Sequence, residues 1–66
     1  MTIIPSLAAW LPISTELSTR GYQRYIIQYR PESPEGFHAW FWAEGRPDVE
    51  VVTHDEGVCK AIMKYK

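Results

Sequence analysis

The sequence has little of what usually braces a small domain from outside its core. Cys59 is its single cysteine, which excludes a disulfide within the chain and fits a reducing compartment. No Cys-x-x-Cys or His-x-x-x-His spacing occurs, and His38, His54, Asp48, Asp55, Glu56 and Cys59 do not form a metal-binding pattern. No metal and no cofactor are therefore expected. Charge of one sign is also scarce: the net charge is −1 at pH 7, which argues against holding nucleic acid by bulk charge. No apolar run approaches the ~20 residues of a membrane-spanning helix. The apolar stretch from Ile3 to Ile13 is interrupted by Pro5 and Pro12 and has no basic residue ahead of it, so it does not read as a secretion signal. The expected location is the cytoplasm, with no membrane partner. Gly-rich phosphate loops and nucleophile elbows are missing as well.

What the chain does have is apolar and aromatic mass. Of its 66 residues 45% are hydrophobic, and 14% are aromatic: three Trp, four Tyr and two Phe. The length allows one domain, 1–66. A chain this short buries only about 60% of the surface its unfolded form exposes, and aromatics supply much buried area per residue.

Pro and Gly divide the chain. Residues 1–20 read as a short helical or irregular segment. Leu7, Trp10 and Leu11 share a helical face, Ser6 is placed to cap it, and Pro12 is placed to end it. A second turn spans 14–19 and closes at Gly21. Residues 22–53 read as a β-meander of three strands, 22–30, 37–44 and 49–53, with a loop from Pro31 to Gly36 and a turn at Gly45–Asp48. Residues 54–65 read as a helix. Thr53-His54-Asp55-Glu56 has the S/T-x-x-E form of a capping box, and Val58, Ala61, Ile62 and Tyr65 make an apolar stripe. The expected fold is α+β: a three-stranded antiparallel sheet with the C-terminal helix packed on one face. The strand–strand–strand–helix order of 22–66 resembles the arm-binding domains of phage integrases and the HicB-like antitoxin domain in architecture alone, which implies no function.

Alternation assigns the faces. Tyr25, Ile27 and Tyr29 fall on one side of the first strand; Arg24, Ile26, Gln28 and Arg30 fall on the other. In the second strand Phe37, Ala39, Phe41 and Ala43 face one way and His38, Trp40, Trp42 and Glu44 the other. The helix is expected on the Phe37/Phe41 side, against Tyr25 and Ile27, because the alanines leave it room. Both faces of this strand are apolar in the middle, so both should be covered. Three covers are open for the Trp40/Trp42 face: the N-terminal segment through Trp10 and Leu11, a second copy, or a foreign partner.

The candidate site is that face, with Trp40, Trp42, His38, Arg24, Arg30 and Gln28. Trp, Tyr and Arg are the residues enriched at interface hot spots. Charge is also segregated: Arg20, Arg24 and Arg30 lie in 20–30, while Glu32, Glu35, Glu44, Asp48, Glu50, Asp55 and Glu56 face Arg46 alone in 31–56. The expected function is a non-enzymatic protein-binding or regulatory module, acting as a homodimer or as an inhibitor of a larger partner. The alternative is a nucleic-acid-binding sheet using Arg, Tyr and Trp. A third reading, an enzyme or redox-sensitive thiol protein, rests on Cys59 lying near a helix N-terminus. Glu32 and Glu35 are more simply solubilising loop charges.

Overall fold

The computed structural model describes residues 2–30 and 36–65. The expected 31–36 loop and its Glu32 and Glu35 fall almost wholly outside the described residues. The element order is β1 (Thr2–Ile3), α1 (Leu7–Thr19), β2 (Gln23–Arg30), β3 (Gly36–Trp42), β4 (Val49–Thr53) and α2 (Glu56–Met63). The α+β class is as expected. The sheet, however, has four strands in the order β1-β4-β3-β2 and is mixed rather than antiparallel. The fourth strand is β1, where Thr2 and Ile3 pair in parallel with Val51 and Val52. The Ile4 N–H extends that ladder to the Val52 carbonyl at 2.8 Å. Two residues carry no periodicity, so only the partner strand reveals this one.

The N-terminal segment is neither irregular nor two separate turns. It is one helix of 13 residues with Pro12 inside it. Ser6 caps it as expected, accepting the Ala9 N–H. Pro12 gives the carbonyl of Ala8 no N–H, yet both residues are exposed, so that carbonyl is open to solvent. Trp10 and Leu17 lie on either side of the proline and are both buried. Their burial, at roughly 1.5–3 kcal/mol per large apolar side chain, offsets an interior proline costing about 3 kcal/mol. The helix ends in a Schellman motif at Gly21, with φ +78°. The Gly21 N–H donates to Ser18 and the Tyr22 N–H to Leu17. Tyr22 and Leu17 then pack in the same core.

The sheet register departs from simple alternation at one place. A bulge at Tyr25 sets Arg24 opposite Phe41 and Ile26 opposite Trp40. Ile27 and Tyr29 pair with Ala39 and Phe37 and face the core side, as expected. Arg24 is thereby moved to that side too, contrary to the alternation. Tyr25 does not meet the C-terminal helix as expected: it is half-exposed, and its hydroxyl donates to Asp48 at 2.7 Å.

The C-terminal helix begins two residues later than expected. Asp55, not Thr53, is its N-cap, accepting the Val58 N–H at 2.9 Å. The Thr53 hydroxyl is already engaged: it donates to the carbonyl of Ile4 at 2.6 Å and accepts the Asp55 N–H at 3.0 Å. Gly57 is close-packed against Leu7 of α1, where a Cβ would stand 3.2 Å from Leu7 Cδ1.

Both helices lie on one face of the sheet. Trp10 of α1 and Tyr65, just beyond α2, meet over Phe41, with ring centroids 6.1 Å apart for Trp10–Phe41 and 5.0 Å for Phe41–Tyr65. Ile4, Leu17, Ala39, Val51, Val58 and Ile62 complete that core. The N-terminal segment therefore does not cover the Trp40/Trp42 face. Trp10 packs on the opposite side, and Leu11 is 61% exposed. One core on one face is what a chain of this length fills.

Candidate binding surface

With both helices on one side, no helix among the described residues packs on the other side of the sheet. The cross-strand pairs define that side: Gln23 with Trp42, Ile26 with Trp40, Gln28 with His38, Trp40 with Glu50, and His38 with Val52. Ile3, paired with Val52, extends it across β1. Alternation in β3 brings His38, Trp40 and Trp42 together as expected.

The centre of the surface is built rather than merely uncovered. His38 is buried, its ring stacked on Trp40 at 5.5 Å and 22°. Its Nδ1 lies 3.1 Å from Glu50 Oε2, across the strand pair. Stack and hydrogen bond together hold three side chains, Trp40, His38 and Glu50, in one geometry, which lowers the entropy lost when a partner docks. Around this platform, Trp42 is 49% exposed, Ile26 42% and Ile3 69%. Gln23, Gln28 and Glu50 add polar groups. An apolar centre with polar neighbours is the anatomy of a protein interface.

The six expected site residues are not all together. Trp40, Trp42, His38 and Gln28 share the helix-free face. Arg24 does not: its guanidinium passes to the opposite side and donates to the Ile62 carbonyl at 3.0 Å, on the last turn of α2. There it satisfies a helix-end carbonyl. Arg30 pairs with Gly36 in the register, and its side chain lies outside the described residues. Five members of the surface are not among the expected site residues: Ile3, Gln23, Ile26, Glu50 and Val52. Glu50 carried a signal, since it alternates with Val49 and Val51, but only the β3–β4 register brings it to His38.

The other face holds a cleft of about 610 Å³ between β2 and α2, lined by Ile27, Tyr29, Phe37, Cys59 and Met63 among others. Cys59 sits here in the first turns of α2. Burial pushes its thiol pKa up, and the charge of Asp55 raises it further. Both effects oppose the lowering that a helix N-terminus exerts on a thiol. Among the described residues no group of three or more His, Cys, Asp or Glu is placed to hold a metal ion. No helix among them is long and apolar enough to cross a membrane. No protein-family model, curated protein or solved structure matches the chain.

Proposed function

We propose that this protein is a non-enzymatic binding module whose helix-free sheet face docks a protein partner through Trp42, Trp40 and Ile26. The observation that carries this reading is the placement of both helices on the Phe41 side. It leaves Trp42 half-exposed beside a Trp40–His38–Glu50 platform held by stacking and a hydrogen bond. Clustered exposed aromatics of this kind mark interaction sites.

The nucleic-acid reading draws less support from the same geometry. Arg24 is spent on the far side of the sheet, and Arg20 is paired with Glu16 one turn back on α1. Glu50 stands within the aromatic surface itself and would repel phosphate. For the thiol reading, burial and the charge of Asp55 work against activation of Cys59.

The test is site-specific photo-crosslinking in extract of the source cells, with a benzophenone side chain placed at position 42 or, as a control, at Leu11 on the outer side of α1. The expected result is one discrete protein adduct, different from the chain itself, from position 42 and none from position 11. Equal labelling from both positions, or adducts from Leu11 alone, would show that the sheet face is not the docking surface.

A further inference from the structure

The sheet ends in two very different edges. The β1 edge is two residues long. The β2 edge runs for eight residues, and among the described residues only β3 pairs with it. A free edge presents unpaired N–H and C=O groups along one side. Natural edges are usually blunted by lysine, proline, short length or a bulge. Gln23–Arg30 contains no lysine and no proline; its bulge at Tyr25 and its two charges, Arg24 and Arg30, leave Ile26–Tyr29 between them without such a guard. From Ile26 to Arg30 the strand is regular. Its core side is apolar, with Ile27 38% and Tyr29 67% exposed, while its other side carries Ile26, 42% exposed, beside Gln28.

We infer that β2 pairs antiparallel with β2 of a second copy, about a two-fold axis at Gln28, to form one continuous eight-stranded sheet. The register follows from the sequence of the strand. An axis at Ile27 would set Arg24 opposite the partner's Arg30, placing like charges across the strands. An axis at Ile26 would run the pairing through the bulge. With the axis at Gln28, the regular run pairs with itself. Ile27 meets the partner's Tyr29 twice by symmetry, an aliphatic–aromatic cross-strand pair, and the two Gln28 amides face each other on the axis.

A second copy fits this edge better than a foreign strand for three reasons. The run is self-complementary in that register, as an isologous contact requires. The net charge of −1 sets almost no repulsion between copies. Chains this short usually gain stability from a disulfide, a metal or an oligomer. Cys59 has no partner cysteine, and among the described residues no metal cluster is placed, so association would add to what the core alone supplies. The inference is independent of the proposed function: an axis normal to the sheet leaves each Trp40/Trp42 face open and puts the two on the same side.

Light scattering behind a sizing column, at two protein concentrations, reads the mass. The expected mass is twice that of the chain for the parent protein and for Trp42→Ala, and that of the monomer for Tyr29→Lys, with all three circular dichroism spectra alike. A crosslink checks the register without relying on a disruptive change. In a Cys59→Ser background, Gln28→Cys should be joined by oxidised glutathione to a dimer several-fold faster than Ile27→Cys. A monomeric parent would overturn the inference. So would a dimer that survives Tyr29→Lys but is lost in Trp42→Ala, which would place self-association on the tryptophan face and count against the proposed function instead of supporting it. Equal crosslinking at positions 27 and 28 would overturn the axis.

Discussion

Phe41→Ala is expected to leave much of the protein unfolded at room temperature. Phe41 is fully buried, and the rings of Trp10 and Tyr65 both rest on it. Removing it withdraws a sheet side chain on which rings from α1 and from the end of α2 both rest. Truncating a buried phenylalanine costs about 3–5 kcal/mol. At roughly 0.05–0.15 kcal/mol per residue, a 66-residue chain holds about 3–10 kcal/mol in all. The loss is therefore a large share of the total. Urea unfolding of Phe41→Ala beside Trp42→Ala checks this. The midpoint should collapse for the first and move little for the second, because Trp42 already stands half in solvent. Equal shifts would mean that the core does not sit on the Phe41 side.

Gly36→Ala is expected to cost about 2 kcal/mol, large for the addition of one methyl group. Gly36 opens β3 with φ +71°, a left-handed conformation costing an L-residue roughly 1–2 kcal/mol. A Cβ there would also stand 2.8 Å from His54 Nδ1 and 3.3 Å from the Thr53 carbonyl oxygen. The imidazole can swing away; the backbone oxygen, at the end of β4, gives less easily. The same denaturation experiment should show Gly36→Ala well below Gly21→Ala. Gly21 shares the positive φ, but a Cβ at Gly21 meets nothing within 4 Å, so the difference reads the contact alone.

Much of this fold is legible in the sequence, and what is legible follows from local rules. Phe37, Ala39, Phe41 and Ala43 alternate with His38, Trp40 and Trp42, and that period of two marks both faces of β3 whatever lies around it. The Schellman glycine at position 21 and the apolar stripe Val58–Ile62 are equally local. The misreadings share one cause: a distant contact overrode a local rule. Pro12 ends an isolated turn, but Trp10 and Leu17 bury against the sheet on both sides of it and carry the helix through. Thr53 and Asp55 both suit a helix cap. The hydroxyl of Thr53 goes instead to Ile4, just past β1 and 49 residues earlier. β1 exists only because Val51 and Val52 offer it a ladder. The bulge at Tyr25 has no signature in the chain, yet it moves Arg24 from the tryptophan face to the end of α2. The aromatic half of the candidate site was thus readable and the basic half was not.

The most direct measurement of the central claim is the affinity of Trp42→Ala for the protein that crosslinks to position 42, by calorimetry, with Leu11→Ala as the control. Truncating a hot-spot tryptophan costs about 2 kcal/mol or more, so Trp42→Ala should bind roughly 30-fold or more weakly, while Leu11→Ala, equally folded, binds like the parent. An unchanged affinity for Trp42→Ala, or an equal loss for Leu11→Ala, would contradict the assignment of the helix-free face as the surface through which this protein acts.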